Sequence, residues 1–187
     1  VTNELTERDK KLIRYLMDNE HTSPFEHNQL SFRVKCPLYV AKQWMRHRMN
    51  SYNEISYRYV KSACEFYIPK NWRGQHPVNR QASQGFFQNP DLEESYRRSL
   101  EVSFKTYELL LEQGVCREQA RGLLPACTYT EFIYTSNLHS LVHFLKLRLD
   151  SGAQYEIQRY ALGLLKLTEP HFPVALAAFR EKYRIDI

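Results

Sequence analysis

The feature that most constrains this chain is a change of hydrophobic period at Pro37. Residues 29–35 alternate apolar and polar side chains, which is typical of a half-buried strand, and Cys36-Pro37 ends the pattern. Residues 38–45 then place apolar side chains at helical spacing, and proline suits the first turn of a helix. The sequence therefore predicts a strand that is followed at once by an amphipathic helix.

Local signals predict two more helices. Thr6 and Asp9 are spaced as in a capping box at the start of a helix. Its buried stripe is predicted to be Leu12, Ile13, Leu16 and Met17. Pro90 opens a long helix that Gly114 closes, and the apolar stripe of that helix is core or subunit interface.

The other segments complete an α+β pattern. Residues 71–89 are rich in Gly, Gln, Asn and Pro, so we expect a long loop there, which suits function or mobility better than packing. Residues 128–135 are β-branched and aromatic and predict a second strand. Further helices are predicted to begin at about Asn137, at Ser151, and at His171 or Pro173. Because there is no βαβ rhythm and no G-x-G-x-x-G, we expect one mostly helical α+β domain over residues 1–187, with a small sheet and no Rossmann unit.

Composition sets limits on the class of protein. The 187 residues include 43% hydrophobic residues and interspersed charges, and no apolar run is long enough to span a bilayer. We therefore expect a soluble protein with no membrane partner. The four cysteines are scattered, which suggests neither a zinc site nor a disulfide framework and is simplest in a reducing cytoplasm. The chain begins at Val1, so we also expect that an N-terminal segment is missing from this numbering.

A cationic run follows the predicted second helix. Arg46-His47-Arg48 is followed by seven residues and then Ser56. Glu54, Ser56 and Arg58 share one face if this segment is extended. Guanidinium groups bind phosphate in bidentate fashion and a hydroxyl adds a hydrogen bond, so a nucleotide phosphate fits. Alternatively, the dipole at a helix C-terminus attracts cations by itself, and Glu54 pairs with an arginine on a solvated surface.

Two other interpretations of the polar residues stay open. His139 and His143 stand four residues apart on a predicted helix, where a metal could bind, but no H-E-x-x-H accompanies them and a polar helix face gives the same spacing. We therefore predict no metal site. The net charge of +5 and the 13 tyrosines also allow a basic nucleic-acid-binding module.

The cationic run resembles the signature of the flavin-dependent thymidylate synthases. The flanks Gln43-Trp44 and Tyr52-Asn53-Glu54 agree with it, as does Arg58-Tyr59. The resemblance extends along nearly the whole chain, through the segments His21-Thr22-Ser23-Pro24-Phe25-Glu26-His27, Glu65-Phe66-Tyr67-Ile68-Pro69, Ala120-Arg121-Gly122-Leu123-Leu124-Pro125, Leu147-Arg148-Leu149-Asp150-Ser151 and Ala153-Gln154-Tyr155-Glu156-Ile157.

This resemblance implies an activity and an assembly. The family carries out reductive methylation of dUMP to dTMP, with methylenetetrahydrofolate as carbon donor, FAD as hydride carrier and NADPH as reductant. The flavin performs the redox step, while the protein orients the groups and manages charge. The resemblance also implies a homotetramer whose sites combine residues from several subunits, and no nucleic-acid partner.

The resemblance further implies roles for individual residues. The cofactor is expected to contact His21, Ser23, Arg46, His47, Arg48, Glu54, Asn137 and His143. The substrate dUMP is expected to contact Gln43, Arg46, Glu54, Ser56, Arg58, Arg121 and Arg148. Arg148 is expected to be catalytic, because a fixed cation at the uracil edge stabilises developing negative charge. Its alternative is a helix-end arginine paired with Asp150 or Glu156.

Some positions depart from the pattern that the resemblance implies. Tyr57 stands where relatives often have a small residue, His143 where they often have asparagine, and Gly152 where histidine is frequent.

Ser56 has no evident base beside it, so we assign it to binding. No cysteine lies in a segment like the active site of the classical thymidylate synthases, and Cys36 and Cys127 fall in predicted strands, which favours a route without an enzyme nucleophile.

Overall fold

A computed structural model of the chain describes residues 4–59, 64–80 and 82–185. The chain falls into two compact units, one made of residues 31–134 and the other of residues 1–30 and 135–187. Helices account for most of the regular structure, and the strands form a three-stranded and a two-stranded sheet. The α+β prediction is confirmed. None of the described helices has the length and apolar character needed to cross a membrane.

The three-stranded sheet contains the first predicted strand. Strands β1 (Leu30–Pro37) and β2 (Ser51–Glu54) lie on either side of β5 (Tyr129–Ser136). The predictions of a strand that ends at Pro37 and of a strand near residues 128–135 are therefore confirmed.

Helix α2 (Leu38–Trp44) starts directly after β1, as the change of period predicts. Its N-cap, Pro37, supplies no side-chain cap. The amide groups of the first two helical residues instead donate to the backbone carbonyls of Thr128, at 2.9 Å, and Ala126, at 3.0 Å. The turn that leads into β5 therefore satisfies amides that a helix start would otherwise leave unpaired.

The end of α2 is fixed by aromatic packing. The Trp44 side chain is only 1% exposed. Its ring meets those of Phe132 and Tyr134 edge-on, with centroid distances of 5.6 and 5.5 Å. Such edge-to-face pairs add specific geometry to the burial of large apolar area. The residues after Trp44 therefore leave the helix from a rigid point.

The expected long loop at residues 71–89 is wrong in part. It contains two short antiparallel strands, β3 (Trp72–Gln75) and β4 (Ser83–Phe87). The Trp72 ring packs against Tyr96, with the centroids 5.6 Å apart. Because these strands have only four and five residues and each contains a glycine, they carry no clear alternation of apolar and polar side chains. Cross-strand pairing and this aromatic contact define them instead.

Helix α3 (Pro90–Glu112) begins and ends as predicted. The Asn89 side chain accepts a hydrogen bond from the Leu92 amide at 3.2 Å, and Gly114 adopts a φ of +81° just after the helix. Leu92 itself is 47% exposed and is therefore not part of the core.

The segment between α3 and β5 is short. It contains α4 (Arg117–Ala120) and one 3₁₀ turn (Arg121–Leu123). Cys127 is buried, as expected, but it lies in the turn before β5 and not in the strand. Nearby, the amide of Tyr67 donates to the Cys127 carbonyl at 2.9 Å, which ties an otherwise irregular segment to this turn.

The described part of the other unit contains four α-helices. They are α1 (Glu7–Asp18), α5 (Leu138–Arg148), α6 (Tyr155–Thr168) and α7 (Pro173–Tyr183). Its fully buried side chains include Leu138, Leu141, Phe144, Leu145, Ile157, Leu165, Leu176 and Phe179. The predicted starts near Asn137 and Pro173 are confirmed. The predicted start at Ser151 is too early, because the Asp150 side chain accepts from the Gly152 amide at 2.7 Å and holds a turn there.

Helix α1 has the predicted capping box. The Thr6 hydroxyl accepts from the Asp9 amide at 3.2 Å, and the Asp9 carboxylate accepts from the Thr6 amide at 2.8 Å. Met17 is buried, but Leu12 is 54% exposed, so the predicted buried stripe was too wide. An ion pair of 2.5 Å between Arg14 and Glu181 joins α1 to α7.

Candidate functional site

The cationic run lies where α2 has ended. Arg46 and Arg48 are exposed, whereas His47 between them is buried. The amides of Arg46 and His47 donate to the carbonyls of Gln43 and Trp44, at 3.3 and 3.0 Å, so the chain makes a tight turn after the helix. The guanidinium groups therefore face solvent and the imidazole faces inward. Burial therefore distinguishes His47 from Arg46 and Arg48, although the three basic residues are consecutive in the sequence.

Two side chains that sequence analysis did not assign hold this turn. The Tyr52 hydroxyl donates to the carbonyls of His47, at 2.8 Å, and Trp44, at 3.1 Å. The Asn50 amide also donates to the His47 carbonyl, at 2.9 Å. Burial raises the pKa of Tyr52, so its hydroxyl keeps the proton that it donates. In the sequence, Tyr52 belongs to a flank that resembles the family signature, but neither residue was assigned a role.

The hydrogen bonds that these carbonyls accept make the turn more favourable for an anion. A helix C-terminus presents oxygen atoms with partial negative charge, which disfavour an anion. Here Tyr52 and Asn50 occupy the carbonyls of Trp44 and His47. Within the described parts of the chain, neither Arg46 nor Arg48 forms an ion pair with a carboxylate. Both guanidinium groups are therefore available to an incoming anion.

Glu54 ends β2 in a fixed position. Its carboxylate accepts a hydrogen bond of 2.6 Å from the buried Thr130 hydroxyl. The next amide, of Ile55, donates to the Glu131 carbonyl at 2.9 Å, which extends the pairing with β5 by one residue. Thr130 thus orients a carboxylate that remains exposed to solvent.

The expected extended face through Glu54, Ser56 and Arg58 is wrong. After Ile55 the chain turns: the Tyr59 amide donates to the Ser56 carbonyl at 3.0 Å, and the Arg58 amide donates to the Ser56 hydroxyl at 3.3 Å. The period-two argument holds only for extended backbone, and the Ser56 hydroxyl stabilises a turn instead. Ser56 and Arg58 therefore lie together on one turn.

Arg58 rests on its neighbour Tyr59. Its guanidinium donates to the Tyr59 hydroxyl at 2.8 Å and lies 5.2 Å from the ring centroid. A cavity of about 580 Å³ opens beside it, a volume within the usual range for small-molecule sites. Arg58 is the only predicted site residue among those that line this cavity, together with Tyr59, Leu111, Gly114, Val115, Cys116, Arg117 and Glu118.

The two other predicted substrate residues of this unit are Gln43 and Arg121. Gln43 is half-buried on α2, two residues before the turn that carries Arg46. Arg121 is exposed on the 3₁₀ turn that precedes β5. The described lining of the cavity beside Arg58 includes neither Gln43 nor Arg121.

The second group of predicted residues lies in the helical unit. His21 is exposed after α1, and Ser23 is the exposed first residue of a 3₁₀ turn (Ser23–Glu26). Asn28, which sequence analysis missed, donates to the Phe25 carbonyl at 2.9 Å and accepts from the Leu138 amide at 2.7 Å. It therefore ties the Ser23 turn to the start of α5.

Asn137, His143 and Arg148 belong to α5 or its cap. Asn137 is the N-cap, and its side-chain oxygen accepts from the Ser140 amide at 2.8 Å. His143 is exposed on the helix, and Arg148 is its half-buried last residue. Burial lowers the pKa of Arg148, although arginine stays charged in proteins. In the described part of the chain, no group of three His, Cys, Asp or Glu side chains could hold a metal ion.

The Cys36 thiol is poorly suited to nucleophilic attack. Cys36 is fully buried in β1, and burial raises its pKa to about 12, with a smaller contribution from the Glu54 carboxylate. A thiolate is the reactive form of cysteine. At neutral pH Cys36 is therefore protonated and inert.

The chain is similar to known proteins along most of its length. Residues 2–174 match the family described as thymidylate synthase complementing protein. The flavin-dependent thymidylate synthase of one Thermus thermophilus strain is 46% identical over 173 residues, which cover 92% of this chain and 64% of that protein. This chain therefore spans a little less than two thirds of that relative's length. The corresponding protein of Thermosipho melanesiensis is 44% identical over 186 residues, covering 97% of this chain and 81% of that protein.

Solved structures show the same fold. Crystal structures of the UMP/dUMP methylase PolB from Streptomyces cacaoi, bound with 5-Br dUMP or with 5-Br UMP, have TM-scores of 0.85 and 0.87. Both are 34% identical in sequence and cover 99% of this chain, and the match spans 85% and 87% of those chains. The chain is therefore similar to these proteins both in sequence and in three-dimensional fold.

Proposed function

The chain belongs to the thymidylate synthase complementing protein family, the flavin-dependent thymidylate synthases, and from this premise we propose that it methylates dUMP to dTMP. The observation that supports the proposal best is the pair of exposed guanidinium groups, Arg46 and Arg48, on a turn whose carbonyls are filled by Tyr52 and Asn50. Such a turn is suited to phosphate groups.

The family implies FAD as the cofactor, and the residues present fit it. The flavin diphosphate needs cations, which Arg46 and Arg48 offer from fixed positions. His47 supports that turn from its buried side. In the helical unit, His21, Ser23, Asn137 and His143 would complete the cofactor contacts. When bound, the flavin supplies the hydride for reduction, while methylenetetrahydrofolate supplies the carbon and NADPH the reducing equivalents.

The substrate contacts follow from charge and hydrogen-bonding capacity. Ser56 and Arg58 on one turn would hold the dUMP phosphate, with Arg121 as a second cation. Gln43 and Glu54 would orient the nucleoside, and the Thr130 hydroxyl holds the Glu54 carboxylate for this purpose. No enzyme nucleophile is needed in this scheme, in keeping with the buried, protonated Cys36.

Arg148 carries the catalytic role in this proposal. A half-buried guanidinium interacts with charge more strongly than one in bulk water, because the local dielectric constant is lower. Placed at the uracil edge, it would stabilise negative charge that develops on the ring as the ring is activated. We further propose a cytoplasmic homotetramer whose sites combine residues from several subunits.

The first test is the visible absorption spectrum of the purified chain reconstituted with FAD, recorded before and after dUMP is added. We expect a bound-flavin spectrum that shifts with dUMP, followed by dTMP formation when methylenetetrahydrofolate and NADPH are supplied. A parallel titration with UMP tests whether the ribose 2′-hydroxyl is accepted. Absence of flavin binding, together with salt-dependent binding of random oligonucleotides, would replace this proposal with a nucleic-acid-binding function.

A further inference from the structure

The turn that carries Ser56 and Arg58 lies just beyond the pairing of β2 with β5. The last described backbone hydrogen bond of that pairing joins the Ile55 amide to the Glu131 carbonyl at 2.9 Å. From Ser56 to Tyr59 the described backbone hydrogen bonds stay within the turn. A short surface turn of this kind needs other contacts to hold one position relative to the sheet.

Tyr57 supplies such a contact. Its hydroxyl donates to the backbone carbonyl of Tyr129, the first residue of the central strand β5. The Tyr129 amide in turn donates to the Glu65 carbonyl at 2.8 Å, so the acceptor is itself held by a backbone bridge. The half-buried Tyr57 ring also lines a small cavity of about 150 Å³ next to Ile55 and Tyr129.

A second contact holds the other end of the turn. The Arg117 guanidinium donates to the Tyr59 carbonyl at 3.3 Å. Arg58 therefore lies between two anchored residues, one tied to β5 and one tied to α4. Neither anchor uses the Arg58 guanidinium or the proton of the Ser56 hydroxyl, which leaves both groups able to contact a phosphate.

We propose that Tyr57 is a positioning residue that fixes the turn from Ser56 to Tyr59 before the nucleotide phosphate binds. The inference rests on the proposed function, in which Ser56 and Arg58 hold that phosphate. A turn already held in its binding geometry loses less conformational freedom on binding, and this raises affinity without any new contact to the ligand. A small residue at position 57 could not reach the Tyr129 carbonyl.

The decisive variant is Tyr57→Phe, which keeps the ring and removes only the donor. The FAD-reconstituted full chain is titrated with dUMP, and separately with deoxyuridine, which lacks the phosphate. Loss of one net hydrogen bond predicts about a fivefold weaker affinity for dUMP. Deoxyuridine affinity should stay unchanged, as should dUMP affinity in the matched control Tyr183→Phe, which removes a phenol from the helical unit.

A double-variant cycle separates positioning from general loss of structure. If Tyr57 acts through the turn, then adding Tyr57→Phe to Arg58→Ala should weaken dUMP binding by less than it does in the wild type, because only Ser56 is left to position. This cycle decides the matter even where deoxyuridine binds too weakly to measure. Thermal unfolding of each variant shows whether the fold is intact.

The outcomes are distinct. An unchanged affinity of Tyr57→Phe for dUMP, an equal loss for dUMP and deoxyuridine, or full additivity with Arg58→Ala would each overturn the role of Tyr57 while leaving the proposed function in place. If the wild-type chain takes up FAD but shows no response to dUMP, the proposed function fails, and this inference fails with it.

Discussion

At the scale of single residues, some of the described cations are paired with carboxylates and others are not. Arg33 and Lys35 on β1 pair with Glu131 and Glu65, at 2.5 and 2.7 Å. Exposed pairs of this kind contribute little to stability but do neutralise charge. Arg46 and Arg48 have no such described carboxylate partner and therefore keep their charge for a ligand.

Arg148→Ala tests the proposed catalytic residue. Loss of a cation that acts on developing charge should lower kcat by about 100-fold or more. The dissociation constants of FAD and dUMP should change far less, and both are read from the flavin spectrum. Arg159→Ala, which alters an exposed arginine on α6, should retain full turnover. Undiminished turnover of Arg148→Ala would remove the catalytic assignment.

Cys36 predicts how stability depends on alkaline pH. Its pKa is raised from 9.0 to about 12 in the folded protein, so the folded state holds the proton more tightly than the unfolded state. Its contribution is fully present below about pH 9 and is lost as the pH rises toward 12. Urea unfolding at neutral and alkaline pH should therefore show a smaller decline in the free energy of unfolding for Cys36→Ala. An equal decline would contradict the assigned pKa.

The Cys36→Ala variant also tests whether the reaction uses a thiol nucleophile. Because Cys36 is buried and protonated at neutral pH, Cys36→Ala should keep turnover per folded molecule close to that of the wild type. Complete loss of activity in a folded variant would instead point to a thiol nucleophile.

At the scale of elements, α7 closes the C-terminus of α1. The Lys182 ammonium donates to the carbonyls of Met17, at 2.9 Å, and Asp18, at 3.0 Å, and pairs with Glu20 at 3.2 Å. A cation at this position satisfies helix-end carbonyls and is attracted to the negative end of the helix dipole.

Lys182→Met removes this charge and keeps the aliphatic packing. We expect the free energy of unfolding to fall by about 1–2 kcal/mol, measured by urea denaturation. Lys166→Met, on an exposed position of α6, is the control and should change stability by less than about 0.5 kcal/mol. Equal effects of the two variants would show that the helix-end contacts contribute nothing specific.

Elements with a local chemical signal could be predicted from the sequence. The capping box at Thr6, Pro37 and Gly114 each act on the neighbouring backbone. The helix starts and ends that they predict are therefore confirmed. The hairpin of β3 and β4 was missed because it depends on a contact with the distant residue Tyr96. The turn at Ser56 was missed because the Ser56 hydroxyl bonds the local backbone, whereas the two-residue period assumes an extended strand. The site residues came from the family resemblance, whereas supporting residues such as Asn28, Tyr52 and Thr130 became visible only through their partners.

At the scale of the whole molecule, one side of α3 exposes two large apolar side chains. Val102 and Leu109 are 58% and 53% exposed and stand seven residues apart, so they lie on the same side of the helix. Exposed apolar side chains at helical spacing are suited to packing against another helix. This face is therefore where we test the proposed homotetramer.

Leu109→Glu should weaken the assembly, because the new carboxylate would lose its hydration in an apolar interface. Sedimentation velocity should show a shift from tetramer to smaller species. The matched control is Leu12→Glu, since Leu12 is 54% exposed on α1. Identical sedimentation of wild type and Leu109→Glu would exclude this face from the interface.

The strand order has a consequence for the time course of synthesis. β5 lies between β1 and β2, yet it begins about 75 residues after β2 ends. At about 5–20 residues per second, the edge of β2 is without its partner strand for about 4–15 s during synthesis, and the edge of β1 for longer. The interval between the synthesis of α1 and that of its partner α7 is longer still. Nascent chains stalled before Tyr129 should therefore be protease-sensitive and bind chaperones.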